Sequence, residues 1–381
     1  MNSECGRKKD IKRISLTPLS TTSITFDIND VEWSKLESKF NQLIDLRSAS
    51  VPGISSAQAR TEHWDKVSSI ISSLLEQALV ECSAFLFQGK AEEAEVAGMQ
   101  TLRLRERFYG PKDLQLVPVY FHLARVKQYM KKYQESEEML LLAQFLILKK
   151  QEEVSISTKA ELHQTFGLLY ASDKKLENAI KHLSCASYYF SCMYGPQHVL
   201  TTFSYFDLGN VFAANSNIEN SMATYDTIKE IWYSYLVDVL NEIVQKKKES
   251  EKLKKYEDGE ENRKLVYASK QAFGAENLTV TSKMLNGIYN IQKERFQVLH
   301  PTPTRSEFIL GLFLLWVEDD SEAEVHMIEA HKASQVFYGE RHPVVTEIED
   351  WCKKFDISYV EDTQGKDDSE SDHPENEADE E

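Results

Sequence analysis

Apolar residues recur at three- and four-residue steps over most of the chain, as they do along one face of an α-helix. Between Ile228 and Val244 this spacing continues without a break. Only 14 glycines and 9 prolines interrupt 381 residues, too few for the many turns of a β-sandwich or barrel. The pattern predicts an all-α protein of long helices joined by short loops.

A small residue recurs at a regular interval, with a bulky residue usually three positions later and a second small residue twelve positions later. The first four copies begin at Cys82, Ala124, Gly167 and Gly209, at intervals of 42, 43 and 42 residues, and Gly311 begins a later one. Small side chains at a fixed spacing let two neighbouring helices approach closely. The period therefore predicts stacked helix pairs.

An aromatic residue followed by glycine closes several helical segments in the same phase. These dipeptides are Tyr109-Gly110, Tyr194-Gly195, Phe273-Gly274 and Tyr338-Gly339. Glycine just after a helix end adopts the left-handed conformation at no steric cost, so we predict left-handed caps there.

Together these positions resemble tetratricopeptide repeats, in the longer form of about 42 residues found in kinesin light chains. The resemblance implies a solenoid, a right-handed superhelix of helix pairs whose first helices line a groove for protein partners. On that pattern the groove residues are Phe121, Arg125, Gln128, Gln164, Phe203, Phe206 and Asn210. Phenylalanines beside amide and arginine groups suit a helical or extended peptide, and the alternative is that the phenylalanines pack within the array.

We predict three regions along the chain. Residues 1–60 are largely irregular, with one short helix near 30–46; residues 66–357 form the repeat array; and residues 358–381 form an acidic disordered tail. Regular repeats occupy about 66–232, a long projecting helix about 218–257, and irregular repeats with a capping helix 262–357, with a loop at Pro301 and Pro303. The apolar stripe of the long helix either packs against the next repeat or forms a seam for a partner or a second copy.

The formal net charge of −17 would repel nucleic acid and anionic lipid. The five cysteines are odd in number and widely spaced, which predicts reduced and mostly buried thiols in the cytoplasm. The longest apolar run, residues 308–317, is too short to cross a bilayer. We therefore expect protein partners and no nucleic-acid, membrane or small-molecule ligand.

Motifs for phosphate loops, dinucleotide binding, nucleophile elbows and helical zinc proteases are absent from the sequence. His182 and Cys185 lie one turn apart on a helix, with Cys192 two turns beyond. Two ligands do not make a metal site, and core packing is the simpler role for them. We expect no enzymatic activity, no cofactor and no metal.

Segments 116–124, 134–148, 168–170, 186–195 and 229–232 resemble the axonemal zinc finger MYND domain-containing protein twelve family. The resemblance implies a subunit or docking and assembly factor of a ciliary inner dynein arm, in the axoneme of a cilium or flagellum. Its implied partners are another tetratricopeptide-repeat protein and an inner-arm dynein heavy chain.

Members of that family begin with a zinc finger, but Glu37 and Asn41 stand where its last His and Cys ligands would fall. We therefore expect a short helix there and no zinc site. The alternative function is a kinesin-light-chain-like cargo adaptor, or another cytosolic adaptor of this repeat type. The absence of sustained heptads before residue 66 counts against the kinesin-like adaptor.

Overall fold

The computed structural model describes residues 30–48, 57–253, 270–271, 273–296 and 300–358, which contain thirteen α-helices and no strand. The helices are Asp30–Ser48 (α1), Ala57–Phe87 (α2), Ala91–Tyr109 (α3), Val117–Tyr129 (α4), Tyr133–Lys149 (α5), Ile156–Ser172 (α6), Leu176–Tyr194 (α7), Thr202–Ala214 (α8), Ile218–Leu253 (α9), Ala275–Phe296 (α10), Pro301–Val317 (α11), Asp320–Tyr338 (α12) and Pro343–Lys354 (α13). The prediction of an all-α repeat fold is confirmed. The irregular start of the chain and the acidic tail lie outside the described residues.

The chain divides into two compact units, Met1–Trp232 and Tyr233–Glu381. In the first unit α2 pairs with α3, α4 with α5 and α6 with α7, and α8 packs on the first part of α9. In the second unit α10, α11, α12 and α13 pack in chain order. Each helix pair is the building block of a tetratricopeptide-like array.

The small residues that define the repeat lie inside the helix pairs. Cys82 and Ala124 are fully buried, and the second small residues are buried in every copy: Ala94, Ser136, Ala179, Ser221 and Ala323. In the second copy Lys127 replaces the bulky residue. It is 6% exposed, and its ammonium group pairs with Glu95 at 2.8 Å and Glu135 at 2.6 Å.

The three glycines of the repeat sit where a larger side chain has no room. A Cβ atom on Gly167 would lie 2.5 Å from Cγ of Leu183, and one on Gly209 would lie 2.8 Å from the Tyr225 ring. A Cβ atom on Gly311 would lie 2.8 Å from Sδ of Met327. Each contact joins residues at the same separation along the chain, so the same helix crossing recurs.

The turn inside each helix pair contains one residue with a positive φ angle. These residues are Gly89, Lys131, Lys174, Ser216 and Glu318, with φ between 60° and 78°. The conformation is left-handed helical, and only the first copy uses glycine for it.

The glycines after the aromatic residues do not adopt the left-handed helical conformation that the sequence predicted. Gly110, Gly195 and Gly339 have φ between 86° and 103° with ψ between 150° and 161°. Only glycine readily adopts this extended conformation with a positive φ angle. Glycine is therefore required at these positions, but not as a left-handed helical cap. His198 and His342 follow, and each stacks on the preceding tyrosine and accepts a backbone N–H at the next helix start.

The apolar stripe of α9 packs into the two cores. Trp232 is fully buried and its indole N–H donates to Oγ1 of Thr202 at 3.0 Å in the first unit. In the second unit Tyr235 contacts the rings of Phe273 and Trp316. The stripe is therefore core, and the alternative of a seam for a partner or second copy is wrong. The predicted extension of this helix to residue 257 lies outside the described residues.

Pro301 and Pro303 do not mark a loop. They lie in the first turn of α11, where a backbone N–H group would have no acceptor within the helix, so proline loses no hydrogen bond there.

By length and composition residues Asp65–Phe87 of α2 could cross a membrane. Val67, Ile71 and Leu75 of that stretch are buried in a core cluster with α1 and α3, whereas Ile70, Val80 and Phe87 are exposed.

Replacing Gly167 by valine should lower the free energy of unfolding by about 2–3 kcal/mol, because the added methyl groups overlap Leu183. Urea unfolding followed by circular dichroism measures this. The control is Leu168→Val, at the next position but exposed, which should change stability by less than about 0.5 kcal/mol. Equal effects of the two substitutions would show that the close helix approach does not limit stability.

Replacing Lys174 by glycine should raise the free energy of unfolding by about 0.5–1 kcal/mol, because glycine removes the strain of a left-handed lysine. Lys181→Gly, in the exposed interior of α7, should lower it by about 1 kcal/mol. Both variants replace lysine by glycine, but they should change the free energy of unfolding in opposite directions. The comparison therefore separates the effect of backbone strain from the effect of losing a lysine charge. Destabilisation by both substitutions would contradict the assigned turn conformation.

Candidate functional site

In the first unit α4, α6 and α8 are the first helices of consecutive pairs, and they pack against one another. We call the surface formed by six of the seven predicted groove residues, together with Glu161 and Asp207, the first-helix face. Its members are Arg125, Gln128, Glu161, Gln164, Phe203, Phe206, Asp207 and Asn210. The structure brings these residues together across neighbouring helices, as the following contacts show.

Two contacts join α4 to α6. The Arg125 guanidinium pairs with Glu161 at 2.6 Å, with both side chains partly exposed. The Gln128 amide nitrogen donates to the Leu168 carbonyl at 3.1 Å and to Oγ of Ser172 at 2.8 Å. These side chains hold neighbouring helices together, so a partner would have to compete for their polar groups.

One contact joins α6 to α8. The Gln164 amide donates to Oδ2 of Asp207 at 2.8 Å. Burial of the carboxyl group raises the pKa of Asp207 to about 6, against the smaller opposing effect of the Gln164 hydrogen bond. An ionised carboxylate at this position therefore lowers the free energy of unfolding at neutral pH. A cation supplied by a partner would relieve that cost.

The α8 part of the first-helix face is the most apolar. Phe203 and Phe206 are half-buried, and the Phe206 ring lies 6.2 Å from the ring of the buried Tyr225. The Tyr225 hydroxyl donates to Oδ1 of Asn210 at 2.7 Å, which leaves the amide N–H groups of Asn210 as the donors it can offer. The two phenylalanines thus keep part of their rings open beside a carboxylate and an amide.

Phe121 does not belong to this face. It is 1% exposed and lies in the core cluster of the second and third repeats with Leu123, Leu140 and Phe166. The prediction that Phe121 lines the groove is wrong, because neighbouring helices on both sides cover α4. The equivalent residue in α8, Phe206, is only half-buried.

The second unit contains a polar cluster that the sequence did not predict. Glu307 is 1% exposed and accepts a hydrogen bond from the Tyr289 hydroxyl at 2.9 Å, and Lys293 donates to the same hydroxyl at 3.0 Å. Burial alone would raise the pKa of Glu307, but hydrogen bonds from His326, Glu329 and Tyr289 lower it. The hydrogen bond with Glu307 raises the pKa of Glu329. A single carboxylate directly before a long apolar run of the same helix was the available signal.

The side chains considered for metal binding do not converge. His182 lies against His163, with 3.2 Å between the two Nδ1 atoms, and burial lowers the pKa of His182 to about 4. Cys185 and Cys192 are exposed, which corrects the prediction that the cysteines are mostly buried; Cys82 and Cys352 are buried. Among the described residues, no group of three or more His, Cys, Asp and Glu side chains could hold a metal ion.

No protein-family model matches the chain. A putative kinesin light chain of nearly identical tetratricopeptide-like repeats from Podosopora anserina matches 69% of this chain and 96% of its own, at 12% identity and a TM-score of 0.36. BtubC (BKLC) from P. vanneervenii matches 83% of this chain and 95% of its own, at 14% identity and a TM-score of 0.42.

The chain is similar to kinesin-light-chain-like repeat proteins. The helix pairing and the buried small residues described above establish the repeat fold of the chain. Arrays of stacked helix pairs generally serve as non-enzymatic scaffolds for protein partners. The resemblance to the axonemal MYND family is not among these matches.

Replacing Asp207 by asparagine should raise the free energy of unfolding at pH 7 by about 1–2 kcal/mol, because the amide keeps the Gln164 hydrogen bond without a buried charge. The folded state raises this pKa above its usual 3.8 to about 6. The stability that protonation provides is therefore complete below about pH 4 and is lost as the pH rises through 6.

The gain from Asp207→Asn should accordingly shrink on acidification and vanish near pH 4, as measured by urea unfolding at several pH values. Glu161→Gln is the control on the same face. It removes an exposed ion pair and should not stabilise the chain. A gain from Asp207→Asn that does not vary between pH 4 and pH 7 would show that charge burial is not its cause.

Proposed function

We propose that this chain is a non-enzymatic scaffold that binds a peptide segment of a protein partner on the α8 part of the first-helix face. The observation that carries the proposal is the combination of half-buried Phe203 and Phe206 with the carboxylate of Asp207. The phenylalanines offer apolar contact area, and the carboxylate offers a site for a cation. The matching segment carries apolar anchors next to a lysine or arginine.

The proposed setting is a ciliary axoneme, where the chain helps to anchor or assemble an inner dynein arm. This rests on the resemblance of the segments between residues 116 and 232 to the axonemal family. The proposed partners are another tetratricopeptide-repeat protein and an inner-arm dynein heavy chain. Cytoplasm and axoneme are the proposed locations, and no cofactor, membrane or nucleic acid takes part.

A cargo adaptor like kinesin light chain is the second candidate. Two features favour it: the repeat length of 42 to 43 residues and the glycine after each closing aromatic residue. Its partner would be a cargo protein, and a motor heavy chain would be recovered with it. The two candidates use the same face, so the identity of the bound proteins separates them.

Replacing Phe203 and Phe206 together by glutamate should reduce recovery of partners about tenfold or more in affinity purification from ciliated cells. The helical circular dichroism should persist. Because Phe206 also contacts Tyr225, the milder pair Phe203→Ser and Phe206→Ser serves as a second variant with less effect on folding. Phe337→Glu, at a half-exposed phenylalanine of the second unit, is the control and should retain binding.

The proteins recovered decide between the two candidates. Inner-arm dynein heavy chain, recovered from ciliated cells and lost from the phenylalanine variants, supports the axonemal scaffold. Kinesin heavy chain recovered from both ciliated and non-ciliated cells supports the adaptor. Undiminished binding by both folded phenylalanine variants would refute the proposed face.

Asp207→Asn adds an independent readout of the same site. It should weaken partner binding although it makes the chain more stable. A variant that is both more stable and equally good at binding would show that the carboxylate does not contact the partner.

A further inference from the structure

The outer side of α5 carries a stripe of large apolar side chains that no described residue of the first unit covers. Leu141, Leu142, Phe145 and Leu148 are 50%, 45%, 57% and 62% exposed. They recur at the spacing of one helix face. A contiguous apolar stripe of this kind on a helix usually marks a contact surface.

The repeat itself does not require this stripe. At the equivalent positions α3 carries Met99, Gln100, Arg103 and Glu106, and α7 carries Ser184, Cys185, Tyr188 and Ser191. At these four positions each of those helices has one large apolar residue among polar or small ones. Each packs against the first helix of its own pair, as α5 does. The four apolar residues of α5 are therefore additional to what the fold needs.

Opposite charges flank the stripe. Glu138 is exposed one turn before it, and Lys149 is exposed directly after Leu148. Among the described residues neither side chain forms an ion pair. The exposed side of α5 thus runs from acidic through apolar to basic in the direction of the chain.

A surface with this order is complementary to an antiparallel copy of itself. With a two-fold axis near residues 143 and 144, Leu142 of one copy meets Phe145 of the other. The same arrangement places Glu138 beside the other copy's Lys149, and does so twice because of the symmetry. A parallel arrangement would instead place like charges together.

From this charge order we infer that the α5 stripe is the contact surface between two copies of this chain, packed antiparallel along α5. An unlike partner would need a helix with the same sequence of charged and apolar positions, whereas a second copy supplies it. The stripe with its flanking charges spans about 16 Å of helix. An interface this short is small, so the dimer should be weak and concentration-dependent.

Sedimentation velocity of the full chain over a concentration series from about 1 to 200 µM measures this self-association. The wild type should shift towards the dimer as the concentration rises. Phe145→Glu should remove the shift, because it places two carboxylates at the centre of the contact. Arg103→Glu, at the equivalent exposed position of α3, is the matched control and should behave as the wild type.

A charge exchange tests the antiparallel register. Glu138→Lys alone, or Lys149→Glu alone, creates like-charge pairs at both ends and should weaken dimerisation about five- to tenfold at low salt. The two substitutions together restore opposite charges and should restore the dimer. Circular dichroism verifies that each variant is folded.

A wild type that stays monomeric over the whole series overturns the proposal. Failure of the double charge exchange to restore a dimer that each single substitution weakens also overturns it, since the antiparallel pairing is then wrong. A monomeric chain whose α5 stripe binds the helix of a different protein would assign the surface to that partner instead. None of these outcomes depends on the first-helix face.

Discussion

The close approach of paired helices at one small residue is the constraint on which the structure depends. At Gly167, Gly209 and Gly311 the partner side chain occupies the space where a Cβ atom would be. This contact fixes the distance and crossing of the two helices in a pair. The first helices of successive pairs then lie side by side, which is why Gln164 of one reaches Asp207 of the next.

The spacing of small residues could be predicted because it follows directly from this contact. A small side chain at each crossing is a local requirement that the sequence has to meet in every repeat, and the glycines that close α3, α7 and α12 meet a second local requirement. The backbone conformation at those glycines was harder to predict. Lys131 and Lys174 adopt the left-handed conformation, whereas Gly195 adopts an extended one with positive φ. Residue type alone does not distinguish these two uses of positive φ.

Burial on the first-helix face could not be predicted from the repeat. Phe121, Gln164 and Phe206 occupy equivalent positions in three successive repeats, yet the first is in the core and the others are half-buried. Their burial depends on which helices cover them, and a periodic pattern holds no such information. The same limit applies to buried charges. Arg105 is fully buried and donates to the Leu75 carbonyl, Glu76 and the Gln115 carbonyl, partners up to 30 residues away.

A repeat protein offers an internal standard for separating fold from function. A feature present in every copy, such as the buried small residue, serves the fold. A feature present in one copy that costs stability needs another explanation. Asp207 is such a feature, because its carboxyl group is held where the charged form is disfavoured and, within the part of the chain that the structure describes, its one hydrogen bond comes from Gln164. Folding gains nothing from that carboxylate at neutral pH, and this is why we propose that it receives a cation from a partner.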